Sequence, residues 1–185
     1  FAEIGGDGHQ VTNPLGSGNF LGWCDPADPN YDATLKCNDK VIGAYSFTAD
    51  GTPDDENGHG THVAGTAAGN VVNGVTIPGT TTTVDVAGVA PHANIVAYDV
   101  CEGRGCPGSA ILAGLDQVVL DAGVVDVVNF SVGGASGDPW SDADSQAFLK
   151  VAEARVFVAT SARNSGTDAG TVRSPADATW MTSVA

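Results

Sequence analysis

The sequence predicts an α/β domain, a doubly wound and mostly parallel sheet with helices on both faces. Two observations point there. From about residue 93 onward, short stretches that are apolar on both faces alternate with amphipathic helical stretches. Right-handed crossovers between such strands give a doubly wound sheet, and ligands then sit where the strands end and loops begin. The 185 residues suit one domain with a full core. Residues 1–40 are expected as a loop-rich N-terminal part and 41–185 as the α/β core.

Along the chain, residues 1–40 are dense in turn formers such as Gly5-Gly6-Asp7-Gly8, Asn13-Pro14, Asp25-Pro26 and Asp28-Pro29-Asn30. Val41–Phe47 reads as a strand, and Asp50–Glu56 as an acidic turn. A glycine-rich helix begins near His59, and 71–88 reads as a surface hairpin or loop. Strands are then expected at 95–100, 124–130, 156–160 and 180–184. One helix carries Ile111, Leu112, Leu115, Val118 and Val119 on one face. Another, over 141–153, carries Ala143, Ala147, Phe148, Val151 and Ala152.

The net charge is −15, with eighteen aspartates against three lysines and four arginines. That balance argues against partners such as nucleic acid or an anionic membrane. No apolar run reaches the roughly 18 residues of a transmembrane span. The four cysteines allow three pairings, and the local one, Cys24–Cys37 with Cys101–Cys106, is expected.

Asn57–Gly69 is the stretch around which the chain is organised. It holds His59 and His62, with glycines at 58, 60, 65 and 69. Gly60 and Gly65 would each cost an exposed helix about 1 kcal/mol relative to alanine, so burial against other backbone, or function, is expected to compensate. The positive end of a helix dipole favours neutral imidazole, the form a general base uses. A buried helix with hydrogen-bonded histidines is the plainer reading. Metal binding by His59 and His62 lacks a third ligand at zincin spacing.

The wording His59-Gly60-Thr61-His62-Val63-Ala64-Gly65-Thr66 resembles the histidine motif of the subtilase family of serine proteases. Asn129-Phe130-Ser131-Val132-Gly133-Gly134 resembles the family segment that pairs with the substrate backbone. Val158–Gly166 resembles the segment of the oxyanion asparagine. Gly88–Ala93 and Thr171–Pro175 resemble linking segments in the same order. The cysteine-bearing segments are similar to those of larger secreted subtilases, which often carry a protease-associated domain inserted soon after the equivalent of Val184.

The resemblance implies a secreted serine endopeptidase that cleaves polypeptide substrates through an acyl-enzyme. His59 would be the base and Asn164 the oxyanion donor. Ser131, Val132 and Gly133 would bind the substrate. No cofactor is implied; many subtilases bind calcium in loops, and Asp25, Asp28 and Asp32, like Asp50–Glu56, form acidic runs that match no EF-hand. The chain departs from the family pattern at its triad, which runs Asp, His, Ser. Asp7-Gly8 follows no apolar strand, and Asp50 lies only nine residues before His59. Ser183 lacks the Gly-Thr-Ser-Met-Ala setting and stands only nineteen residues after Asn164. The triad aspartate and serine are therefore expected outside these residues. The chain would then be an inactive fragment, with the remainder of its own catalytic domain as a partner.

Where the subtilase family usually has glycines bordering the pocket for the side chain before the scissile bond, this chain has Arg163 and Arg173; the resemblance adds them to the expected substrate-binding set, and the plainer reading turns both outward. Against the protease stand two other classes: a non-catalytic subtilase-like domain that binds extended peptides, and a generic α/β ligand-binding domain.

Overall fold

The structure, a computed structural model, describes residues 1–103, 105–134, 137–166 and 168–185. They fall into two compact units, Phe1–Arg104 and Gly105–Ala185. Arg104 itself, in the loop expected to be closed by the second disulfide, lies outside the described residues.

In the first unit, 1–40 is turns and loops around one short strand, β1 (Leu21–Gly22). Asp25, Asp28 and Asp32 each accept the backbone N–H two residues on, at 2.9, 2.7 and 2.8 Å. These are Asx turns, in which the carboxylate substitutes for a backbone carbonyl. The Cys24–Cys37 disulfide closes this region. Strand β2 (Val41–Ser46) runs parallel between β1 and β5 (Ile95–Asp99). Ile42 and Ala44 enter the core. Gly43 is needed between the strands, because a Cβ there would stand 2.9 Å from Leu21 Cβ and 3.0 Å from Val96 Cγ1. On the neighbouring register, Tyr45 and Tyr98 stack with ring centres 5.3 Å apart.

Just before β2 sits a fully buried cation. Lys40 is 0% exposed, and its ammonium donates to the carbonyls of Pro91 and Ala93. Its own carbonyl accepts the N–H of Ile95 at 2.8 Å. The chain leading into β5 is thus fastened to the start of β2 by backbone and side chain together. Asp39 beside it collects Ser17 Oγ, Gly18 N and Asn13 Nδ2, and those donors hold its carboxyl below the usual range.

Between β2 and β5 come helix α1 (His59–Ala68) and an antiparallel hairpin, β3 (Val72–Thr76) with β4 (Thr83–Val86). After the hairpin, residues 88–90 return to the end of α1. Gly88, Val89 and Ala90 donate their N–H groups to Gly69, Thr66 and Ala67 at 2.8, 3.0 and 2.8 Å. Carbonyls that a helix end leaves unpaired are satisfied in this way. Gly88 has to be glycine: a Cβ would lie 2.4 Å from Gly69 N and 2.8 Å from Gly65 O.

The second unit is a parallel sheet in the order β6 (Val127–Phe130), β7 (Phe157–Ser161), β8 (Thr182–Val184). Helix α2 (Gly108–Leu120) buries Ile111, Leu115 and Val118, the face its spacing predicts. Helix α3 (Ala143–Glu153) packs on α2 and β7, with Phe148 edge-on to Phe130 at 4.9 Å. Strand β6 starts later than the apolar run at 124–130 predicts. The N–H groups of Val124 and Val125 are taken by Asp121 O at 2.8 and 2.9 Å, in the turn that ends α2. Arg155, at φ 68°, ends α3 in the left-handed conformation usual after a helix. On α3 the predicted stripe shifts: Ala143 is exposed and Ser145 is buried, because Ser145 is drawn into a polar cluster described below.

Cys101 and Cys106 are also disulfide-bonded, and no cysteine among the described residues is free. Among the described residues no helix is long and apolar enough to cross a membrane.

Candidate active site

His59 is the first residue of α1, and Gly58 before it takes φ 83° at the N-cap. Glycine has no side chain to accept the free N–H groups of the first turn. Asp55, three residues upstream, supplies one: its carboxylate accepts from Asn57 N at 3.2 Å, Gly58 N at 2.7 Å and Thr61 N at 2.6 Å. Partial burial pushes the Asp55 carboxyl up, but the Thr61 hydroxyl and these backbone donors outweigh it and hold it below the usual range.

The rest of α1 does not match the expectation of deep burial. His59 and His62 are exposed, and only Ala68 is buried. A Cβ on Gly65 would meet nothing within 4 Å, and one on Gly60 would only touch Asp55. The close backbone approach that the small residues foretell is confined to the C-terminal end, at Gly69 and Gly88. Thus the imidazoles face open space, and His59 makes no hydrogen bond among the described residues. Among those residues no group of three His, Cys, Asp or Glu side chains is placed to hold a metal ion.

The two aspartates set aside above, Asp7 and Asp50, have other engagements. Asp7 Oδ2 lies 2.8 Å from His92 Nε2, and this contact lowers its carboxyl. Asp50 accepts from Thr48 Oγ1, and Ser183 sits exposed on β8 opposite Thr160.

In the second unit the strand ends converge. After β6, Asn129 Nδ2 donates to Ser131 Oγ at 2.9 Å, and Ser131, Val132 and Gly133 leave the sheet half-buried. After β7, Ala162 still donates to Val184 O at 2.7 Å; then Arg163 turns the chain at φ 77° and Asn164 emerges exposed. A non-glycine residue in that conformation costs roughly 1–2 kcal/mol. Such strain collects at functional sites. The Arg163 side chain lies over Gly133: a Cβ there would come within 2.9 Å of Arg163 Cδ and Nη1 and 3.1 Å of Ser174 O. Gly134 N–H donates to that same Ser174 carbonyl at 3.0 Å. Arg173, the residue before Ser174, is exposed. Sequence-predicted Ser131, Val132, Gly133, Arg163, Asn164 and Arg173 are therefore on adjoining loops at the carboxyl ends of β6 and β7.

Sequence reasoning missed what holds those loops. Asp142 caps α3 through Ser145 N and Oγ at 2.9 and 2.6 Å, and with the same oxygen accepts Ser174 Oγ at 2.7 Å. Burial raises the Asp142 carboxyl, and the hydroxyls of Ser145 and Ser174 more than reverse this. The aspartate before an apolar-periodic run is a readable N-cap signal. Its partner 32 residues later is not.

Comparison with known proteins bears on the family and the fold. The family model described as "Subtilase family" matches residues 14–185. A subtilisin-like protease of Arabidopsis thaliana is 34% identical over 180 residues, covering 90% of this chain and 23% of that protein. A second from the same plant is 38% identical over 162 residues, covering 80% and 20%. The chain thus spans less than a quarter of the length of these relatives. Among solved structures, a sphericase superposes with a TM-score of 0.56 at 29% identity, over 72% of this chain and 44% of that one. A psychrophilic protease does so with a TM-score of 0.52 at 30% identity, over 66% and 37%. With the motif order, the parallel α/β architecture and a family match across nearly its whole length, the chain belongs to the subtilase family.

Proposed function

We propose that this chain is the part of a secreted serine endopeptidase that supplies the general base and the oxyanion donor and binds the acyl side of the substrate. The observation that carries the reading is the convergence of Ser131–Gly133 with Arg163–Asn164 at the ends of two parallel strands. An extended peptide laid along Ser131–Gly133 gains main-chain hydrogen bonds as an added strand. Its carbonyl then meets the Asn164 amide, which donates to the oxygen as negative charge develops. His59, exposed at the start of α1, takes the proton of the attacking serine hydroxyl and returns it to the leaving amine.

Asp7 and Asp50 are held in the contacts given above, and Ser183 lacks the motif setting of the family nucleophile, so none of the three is assigned the other two triad roles. The isolated 185-residue chain is accordingly expected to hydrolyse no peptide or ester. Secretion accords with the disulfides. The acidity of the chain disfavours nucleic acid as a partner.

The test uses the complete protein and a fluorophosphonate probe. Labelling that is abolished in His59→Ala, and peptide turnover reduced about 10²–10³-fold in Asn164→Ala, is expected. Peptide binding without labelling or turnover would instead identify a non-catalytic peptide-binding domain. Labelling of the isolated chain at Ser183 or Ser131 would overturn the assignment of the nucleophile.

A further inference from the structure

We propose that Arg163 makes this groove selective for a peptide carrying Glu or Asp at the residue whose carbonyl faces Asn164. The inference rests on the peptide-binding reading above and adds the class of side chain that the site takes.

Arg163 and Asn164 are consecutive, so their Cα atoms are about 3.8 Å apart. The arginine head group is therefore within side-chain reach of a residue that offers its carbonyl to Asn164. The arginine is already turned toward that place. Its Cδ and Nη1 cover Gly133, the glycine of the substrate-pairing segment, and Gly133 has no Cβ that would push them away. At Arg163 the backbone takes a left-handed φ of 77°. Glycine would adopt that conformation without strain, so the choice of arginine has to be explained by its head group.

The charge pattern gives the head group a purpose. The chain has only seven basic residues against 22 acidic ones. Yet Arg163, exposed, makes no ion pair among the described residues. A planar guanidinium presents a fork of donors that matches a carboxylate bidentately, which an amide side chain cannot equal. The same side chain fills space above Gly133 that a large apolar group would need. Selectivity thus has an attractive part, for carboxylates, and an excluding part, against bulky hydrophobic groups.

The experiment uses the complete protein and matched peptides that differ only at this position, as Glu, Gln, Ala, Phe, Leu or Lys. Two readouts are taken: kcat/KM for cleavage, and calorimetric Kd for the peptides ending at that residue. Glu is expected to exceed Gln at least tenfold in both. Arg163→Gln should erase that ratio. Arg163→Glu should reverse it toward Lys.

A preference for Phe or Leu that Arg163→Gln does not change would overturn the proposal. So would a Glu preference lost in Arg173→Gln but kept in Arg163→Gln. Selective binding with no cleavage of any peptide would remove the peptidase reading and leave the selectivity standing. Cleavage without selectivity would do the reverse.

Discussion

Asp55 accepts the backbone N–H of Thr61 at 2.6 Å, so the helix that begins with His59 is capped by a residue outside it. The site histidine inherits its position from a carboxylate four residues earlier. Replacing Asp55 by alanine is expected to cost about 0.5–2 kcal/mol, the usual range for a lost cap. Asn, which keeps one acceptor oxygen, should cost less. Amide hydrogen exchange at Thr61 checks this, and unchanged protection in Asp55→Ala would show that the cap is not needed.

Two glycines near the end of α1, Gly65 and Gly88, should respond to alanine in opposite ways. Gly65→Ala meets open space and should stabilise by about 0.5–1 kcal/mol through helix propensity. Gly88→Ala drives a methyl into the backbone of Gly69 and Gly65, where nothing flexible can yield, and should destabilise by about 1–3 kcal/mol. Thermal melts of the pair give the comparison. Equal shifts of the same sign would refute the account of how residues 88–90 close the helix.

Asp142 sets a pH dependence. Its carboxyl is held below the usual range in the folded chain, so the folded state favours the ionised form. The corresponding stability is present above the unfolded aspartate value of about 3.9 and is lost as pH falls through the lower folded value. Asp142→Asn should therefore melt lower than the parent at pH 7, with the gap narrowing as the pH drops below about 4. A gap that stays constant down to pH 2 would mean that the charge on Asp142 contributes nothing.

Lys40 is expected to resist replacement despite being charged and buried. Lys40→Met keeps the packing but leaves the carbonyls of Pro91 and Ala93 without their donor. That loss, partly offset by relief of the buried ammonium, should cost about 1–3 kcal/mol. A urea midpoint that does not move would indicate that water replaces the ammonium.

How much of this was legible in the chain follows from the range of each interaction. The strands and helices announce themselves through local periodicity, and the order of motifs identified the family. Ser131–Gly133 and Arg163–Asn164 were readable because strand ends and turn residues are local signals. The shortened start of β6 was not, since an apolar run does not reveal that Asp121 O captures the N–H groups of Val124 and Val125. Exposure of α1 was misjudged for a related reason. Small residues permit close packing without requiring it, and only the Gly69–Gly88 end uses the permission. The Asp142–Ser174 and Lys40–Pro91 contacts join residues 32 and 51 positions apart, beyond any window of periodicity.

The backbone bond from Gly88 to Gly69 means that the chain departs from and returns to a single spot around the β3–β4 hairpin. With both ends of this excursion pinned by main-chain groups, the distal turn between Thr76 and Thr83 is free to vary in content. Each doubling of a flexible loop adds only about 0.6 kcal/mol of closure entropy. This makes the hairpin a natural graft point, where evolution or an engineer can lengthen, shorten or exchange sequence while the histidine helix keeps its anchorage.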